Sequence, residues 1–318
     1  MHHTMGVICR YLACDNHPMK RSVKLLILGT ALSIVFGASA QASGINIGPE
    51  QLKLPVVKSG EVSKYQKIVA LADGSAEIIA ALGYKSNLVG RDIASTMPEL
   101  ASVPIDTNAH QVAVERVLSQ HPDLIFIDAN TSPTSALDVL AKSGIKILKI
   151  PSAFSLASVV LKERAIASAL VVPKAEKLLE VKMSSSVFPK SKTKVAFLYL
   201  RGNASIYLVG GKGSGADSIL SKIGFTDVGA NLLKTPFTAL SAEELIKLQP
   251  DVLLLMTKGL QSVGGVSGLV ALPGIAQTPA GKNKRYVTVD DSLLLSFGPR
   301  TISMLPLLQQ AIAKVAGS

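Results

Sequence analysis

Short apolar runs alternate with helical patterns along most of the chain. The runs at Ile68–Leu71, Leu124–Asp128 and Ile145–Ile150 predict buried strands, and segments with apolar residues three to four positions apart lie between them. This alternation is typical of a mostly parallel sheet that is covered by helices on both faces. The pattern therefore predicts an α/β fold.

Two stretches of the pattern occur twice. SAEIIAALGYKSNLVG near residue 75 is echoed by ADSILSKIGFTDVG near residue 216, and VERVLSQHPDLIFID near residue 114 by AEELIKLQPDVLLLM near residue 242. Between the copies the pattern is helical and has no strand. We therefore expect two Rossmann-like lobes, at 61–151 and 173–318, joined by a long rigid helix at 152–172. Residues 43–66 have little pattern and predict an extended or loosely packed arm.

The first 42 residues have the composition of a leader and secretory signal. Basic residues precede an apolar run at Leu25–Phe36, and small residues follow it at Ala38–Ala42. Both cysteines, Cys9 and Cys14, lie in this segment, and no cysteine stands at the cleavage site to carry a lipid. The sequence thus predicts a periplasmic protein without disulfides or a lipid anchor.

The chain is basic, with a formal net charge of +11. Such a surplus is compatible with nucleic-acid binding, but export argues against it, and no basic run has interleaved aromatic residues. A solvated basic surface that favours an anionic ligand is the simpler interpretation.

Most of the candidate chemistry lies between Lys194 and Gly229. The apolar run Val195–Leu200 predicts a buried strand, and it places Tyr199 and Arg201 on one face because they are two residues apart. A second strand and the glycine-rich turn at Gly210–Gly215 follow. The turn lacks the Lys-Ser/Thr ending of a Walker loop and the glycine spacing of a dinucleotide fingerprint, so a nucleotide site is not expected.

Catalytic patterns are absent from the mature sequence. It has no cysteine, two separated histidines (His110 and His121), and neither a GxSxG nor an HExxH motif. A binding protein is therefore favoured, and a secreted enzyme on a Rossmann-like scaffold is the alternative.

Several motifs together resemble the substrate-binding proteins of ABC importers for iron siderophores, haem and cobalamin, over residues 67–316. They are the repeated lobes, the helical connection, the GRD turn at Gly90, the Pro-Asp strands and the GPR turn at Gly298. FLYLRG with the following GGKGSGADS, and Thr107–His110, are similar to the haem-binding branch. The resemblance implies a monomer with a ligand cleft between the lobes, a permease and an ATPase as partners, and a role in iron uptake without chemistry on the ligand.

The same resemblance implies haem b as the transported ligand, with a ferric siderophore or cobalamin as the alternative. His110 and Tyr199 are the candidate axial ligands of the haem iron, and Tyr207 is the reserve. Ferric iron favours an anionic phenolate, which the neighbouring Arg201 would stabilise. Many Gram-negative haem-binding relatives carry a tyrosine in the first-lobe loop, where this chain has Asn108.

Four charged residues complete the predicted site. Arg91 and Arg300 each follow a turn and are candidates for the cations that two haem propionates need at the cleft rim, although each could instead pair with a nearby acid. Glu115 and Glu243 stand at equivalent positions of the repeat. The resemblance implies that they dock on permease arginines, and exposed helix residues without a function are the alternative.

Overall fold

The structure is a computed structural model that describes residues 44–108, 111–152, 155–183, 187–202 and 206–317. The predicted leader and signal, residues 1–42, lie outside the described residues. The strands are β1 (Gly44–Ile47), β2 (Ile68–Ala70), β3 (Leu88–Arg91), β4 (Thr107–Asn108), β5 (Gln111–Val112), β6 (Leu124–Ile127), β7 (Lys146–Lys149), β8 (Lys194–Arg201), β9 (Ile206–Gly210), β10 (Thr226–Asp227), β11 (Phe237–Thr238), β12 (Val252–Met256) and β13 (Tyr286–Val289).

Helices lie between most of these strands. They are α1 (Ser75–Ala81), α2 (Val114–Ser119), α3 (Thr134–Lys142), α4 (Leu156–Leu170), α5 (Pro173–Lys182), α6 (Ala216–Lys222), α7 (Val228–Leu232), α8 (Ala242–Leu248), α9 (Thr257–Ser262), α10 (Gly265–Ala271), α11 (Pro279–Lys282), α12 (Asp291–Leu295) and α13 (Pro299–Ala316). Within the described ranges, no helix combines the length and the apolar character needed to cross a membrane.

Two main sheets, each of mostly parallel strands, form the two lobes. The first has the strand order β3-β2-β6-β7, and the second contains β10-β8-β12-β13 with the same parallel connections. The two sheets thus share one topology, as the repeated sequences predict. In the second sheet, the antiparallel strands β9 and β11 extend the edge beside β8. The predicted α/β fold with Rossmann-like lobes is confirmed.

The aspartate of the repeated Pro-Asp pair accepts hydrogen bonds from equivalent parts of the backbone in both lobes. Asp123 accepts hydrogen bonds from the backbone N–H groups of Gln66 at 2.7 Å and Lys67 at 3.1 Å, just before β2. Asp251 accepts one from the N–H of Lys194 at 2.9 Å, at the start of β8. Each aspartate therefore holds the backbone in place where the first repeated strand of its lobe, β2 or β8, begins.

The segment before the first lobe is more ordered than the sequence predicts. Gly44–Ile47 forms β1, which pairs in parallel with β13 of the second lobe. The Oδ1 atom of Asn46 also accepts a hydrogen bond from the Thr288 hydroxyl at 2.8 Å. Leu52 and Val57 are buried in the core. Of the two expected alternatives, an extended or a loosely packed arm, the loosely packed one is wrong. The sequence did not show the strand, because four residues are too few positions for a pattern.

Helix α4 connects the lobes and is fixed to both of them at Lys162. This side chain is fully buried, and its Nζ atom donates to the carbonyl oxygens of Asp73 in the first lobe and Ser296 in the second. Burial lowers the pKa of Lys162, and several nearby carboxylates oppose that shift. One ammonium group thus bridges the helix and both lobes, in keeping with a stiff connection.

Glu163, the next residue of α4, is a second buried ionisable side chain. It is fully buried, and neither carboxylate oxygen has a hydrogen-bond partner among the described residues. Burial raises its pKa from 4.5 to about 8, and Glu180 and Glu176 of α5 add to the rise. The folded protein therefore holds this proton more tightly than the unfolded chain, so the free energy of unfolding falls as the pH rises from about 4.5 to about 8.

Glu163→Met is expected to raise the free energy of unfolding at pH 8 by about 1–3 kcal/mol, because it removes an unpaired buried carboxylate and conserves volume. The gain should shrink below pH 5, and urea unfolding at both pH values measures it. Glu163→Gln is the control, since it keeps the shape of the side chain but cannot ionise. If the pH dependence of stability is unchanged in the glutamine variant, Glu163 is not its source.

Candidate functional site

Strand β8 presents different side chains on its two faces. Leu198 and Leu200 pack into a cluster on one face of the second sheet. Phe197 and Tyr199 belong to the larger core on the other face. Tyr199 and Arg201 both border a cavity between the lobes. The two side chains therefore share one face, as their spacing predicts.

The Tyr199 ring is held between an aromatic ring and a cation. Its centroid lies 5.3 Å from that of Phe237, at an interplanar angle of 57°, and the Cζ atom of Arg201 lies 4.5 Å from it. Arg201 is fixed in turn, because its Nη1 atom donates to the Leu200 carbonyl at 2.8 Å and its Nη2 atom to Asp291 Oδ2 at 3.3 Å. Arg201 thus contacts the Tyr199 ring through a cation–π interaction and forms an ion pair with Asp291 at the same time.

Two adjoining cavities form what we call the interlobe groove. One has a volume of about 450 Å³ and the other about 470 Å³. Ile93, Ala94, Arg201 and Leu295 border both, so the two are halves of one space. The apolar residues of the groove come from both lobes, and they are Ile93, Ala94, Leu208, Phe237 and Leu295.

The first-lobe wall of the groove carries acids that the sequence analysis missed. Asp73, Asp92 and Asn130 line it, and Asn130 Nδ2 donates to Asp73 Oδ2 at 3.1 Å. Asp92 is buried and accepts a hydrogen bond from the Ser95 N–H at 3.0 Å. Burial raises the pKa of Asp92 to about 7. The three residues follow β2, β3 and β6, and the position after a parallel strand is the signal that could have revealed them.

The structure corrects the interpretation of Arg91 as a cation at the cleft rim. Its side chain is buried and bonds backbone carbonyls rather than facing the groove. The Nε atom donates to Leu100 at 3.1 Å and Val103 at 3.0 Å, and Nη1 donates to Asp92 at 3.3 Å and Ser95 at 2.9 Å. Arg91 therefore holds the loop after β3 in place.

Arg300 is likewise absent from the groove lining. Its side chain is 1% exposed, and its Nε atom pairs with Glu77 Oε2 at 3.1 Å. The Arg300 N–H also donates to Glu77 Oε1 at 2.7 Å. This buried pair joins α13 of the second lobe to α1 of the first, which corrects the prediction of a propionate-binding role.

Tyr207, the reserve ligand, lies on the wrong face of the hairpin. It is opposite Leu200 in the β8–β9 ladder, whereas Leu208 is opposite Tyr199. Tyr207 packs in the cluster of Leu200, and its hydroxyl is buried without a hydrogen-bond partner among the described residues. Burial raises its pKa above the ordinary value. Tyr207 is therefore not placed to contact a ligand in the groove.

His110, the predicted ligand of the first lobe, lies outside the described residues. The nearest described residues on its two sides, Asn108 and Gln111, pair with each other in the β4–β5 ladder. His121 is exposed and has a left-handed backbone with φ of 50° directly after α2. Its surface position agrees with the expectation that it is not a ligand.

A model of the periplasmic binding protein family matches residues 68–293. The matched range contains every strand of both main sheets except β1. The chain belongs to the periplasmic binding protein family. The family predicted from the sequence motifs is thereby confirmed.

Known relatives of this periplasmic binding protein agree with the assignment. It is 26% identical over 258 residues to YvrC of Bacillus subtilis, an uncharacterised ABC transporter substrate-binding lipoprotein, covering 78% of this chain and 80% of the relative. The haem-binding protein RhuT from Roseiflexus sp. RS-1 in apo form is 33% identical, with a TM-score of 0.74 and coverage of 79% and 99%. The haem-binding protein HmuT is 31% identical, with a TM-score of 0.70 and coverage of 82% and 91%.

Periplasmic binding proteins of this kind are substrate-binding proteins of ABC importers and not enzymes. They work with a membrane permease and an ATPase. On this periplasmic binding protein, Glu115 and Glu243 are both exposed, and each stands in the first turn of its helix, α2 or α8. The repeat thus places one carboxylate at the same position of each lobe.

Proposed function

We propose that this periplasmic binding protein captures haem b in the interlobe groove and delivers it to the permease of an ABC importer. The observation that carries the proposal is Tyr199, which borders an apolar groove with Arg201 stacked over its ring. A planar apolar ligand suits such a groove, and a phenolate is a good donor to ferric iron.

The comparisons support a haem ligand. RhuT and HmuT are both haem-binding proteins. Solved structures of HmuT include alanine variants of a histidine, of a tyrosine, and of an arginine two positions after that tyrosine. Tyr199 and Arg201 have the same spacing.

We further propose that the haem iron is held by one residue of each lobe, Tyr199 of the second and His110 of the first. The phenol is on β8, so its position is set by the sheet. Arg201 stacks over the ring and places a cation beside the proposed ligand. A ligand bound from both sides would tie the lobes together.

Titration of the purified mature protein with haemin tests the proposal. We expect a Soret band that saturates as haemin is added, with charge-transfer bands of a ferric phenolate. Cobalamin and ferric siderophores, added at the same concentrations, should not displace the haemin. If haemin produces only the spectrum of free haemin while one of these compounds binds, the protein carries a different ligand.

Glu115→Lys and Glu243→Lys are expected to reduce haem transport in reconstituted vesicles several-fold and to leave haemin binding unchanged. We propose that these acids dock on permease cations, and reversing a charge at an interface repels the partner. Asp138→Lys is the matched control, since Asp138 is an exposed acid on α3. Weaker haemin binding in either glutamate variant, or equal transport in all three, would contradict the docking role.

A further inference from the structure

One half of the interlobe groove is lined by two cationic side chains, Arg201 and Lys258. This half, of about 470 Å³, lies on the far side of Arg201 from the Tyr199 ring, which borders only the other half. It takes its polar and charged lining from both lobes, namely Thr96, Arg201, Lys258, Ser262, Asp291 and Ser292.

Lys258 stands at this end as a second cation near Asp291. Its side chain is exposed, and in the described part of the chain its Nζ atom makes no hydrogen bond or ion pair. The Lys258 N–H donates to Asp291 Oδ1 at 3.1 Å, so the start of α9 is anchored. Asp291 Oδ2 is occupied by Arg201 Nη2 at 3.3 Å. Among the residues that line this half, two cations therefore stand beside one carboxylate.

The acids of the first lobe border the other half of the groove. Asp73, Asp92 and Asn130 border the other half, which Lys258 does not reach. Ile93 and Leu295 border both halves and form an apolar middle. An elongated ligand with an apolar body and carboxylates along one edge is therefore expected to bind in one orientation, with its carboxylates away from the acidic wall.

We propose that Lys258, with Arg201 beside it, receives the carboxylate edge of the ligand. This inference rests on the proposed function, since haem has its two propionates on one edge of an apolar ring. Arg91 and Arg300 are buried away from the groove. Among the described residues that line the groove, the arginine is Arg201 and the lysine is Lys258. The side chain of Lys258 is flexible, so its ammonium group can move to contact a propionate. Arg201 is less free to move, because it is paired with Asp291.

Lys258→Met is expected to weaken haemin binding roughly three- to tenfold. Methionine keeps the length of the stem and removes the charge. The probes are haemin and haemin dimethyl ester, whose carboxylates are blocked, and binding is followed by the Soret band at low ionic strength. The variant should bind the ester as wild type does, and the difference for haemin should shrink in high salt. Lys247→Met is the matched control, because Lys247 is an exposed lysine of α8 in the same lobe, outside the groove lining.

The outcomes separate this inference from the proposed function. If wild type binds haemin and Lys258→Met binds it equally well, the carboxylate edge does not lie at Lys258. An equal loss for haemin and for the ester also overturns the inference, because the lysine would then act on the groove and not on carboxylates. If wild type binds neither compound, the proposed function fails and the inference fails with it.

Discussion

Replacement of Arg300 by methionine is expected to lower the free energy of unfolding by about 3–5 kcal/mol. The side chains of Arg300 and Glu77 are 1% and 5% exposed. Removing the guanidinium therefore leaves a buried carboxylate without its ion-pair partner, although the backbone N–H of residue 300 still donates to it. Urea unfolding at pH 7 measures the change. Because the pair joins the two lobes, the loss should appear in the cooperative unfolding of the whole protein.

Two further variants make this prediction specific. Arg164→Met removes an arginine that is 56% exposed and pairs with Glu180 at 2.6 Å, so its cost should stay below about 1 kcal/mol. Combining Glu77→Gln with Arg300→Met removes both charges, and it should recover part of the lost stability. If Arg300→Met costs no more than Arg164→Met, burial does not set the strength of the pair.

Tyr199→Phe is expected to weaken haemin binding by at least about tenfold, to speed haem loss and to shift the Soret and charge-transfer bands. Phenylalanine keeps the contacts with Phe237 and Arg201 but removes the oxygen proposed to bind iron. His110→Ala should shift the same bands, because it removes the proposed ligand of the first lobe. Arg201→Ala should shift the bands less, since the phenol oxygen remains and only the cation stacked over the ring is lost. Absorption spectra and the rate of haem transfer to apomyoglobin measure these changes.

Tyr207→Phe is the control for the tyrosine. It removes the same atom from the other face of the same hairpin, where the hydroxyl is buried without a partner in the described structure. Its spectrum with haemin should equal that of wild type. A changed spectrum for Tyr207→Phe with an unchanged one for Tyr199→Phe would place the ligand on β9 and overturn the assignment.

The features that were predicted correctly from the sequence depend on residues that are close together in the chain. Strand alternation places Tyr199 and Arg201 on one face, and this follows from residues two positions apart. The repeat predicts equal topology because each copy carries its own glycines and Pro-Asp pair. The same reasoning was wrong for Arg91 and Arg300, since their partners are set by packing. Glu77, which pairs with Arg300, is 223 positions away in the chain.

The polar residues of the groove were missed for a related reason. Lys258 belongs to no motif, and Asp92 is the last residue of the GRD turn, to which no role of its own was assigned. Asp92 lines the same cavity as Arg201 only because the two lobes face each other. Asp92 is the nearby acid with which Arg91 could have paired. In the structure Arg91 bonds the Asp92 carbonyl instead, and the Asp92 carboxylate faces the groove.

Strand β1 determines which part of the second sheet can be reached by another chain. Without Gly44–Ile47, the backbone of β13 would present a row of unpaired N–H and C=O groups, and a strand of sequence YVTV is well suited to pairing with a second molecule. We expect β1 to pair late in folding, because residues 242 positions apart must meet before the strand can join. Cleavage a few residues downstream of the predicted site would remove this cover, so the place of cleavage bears on whether the protein aggregates.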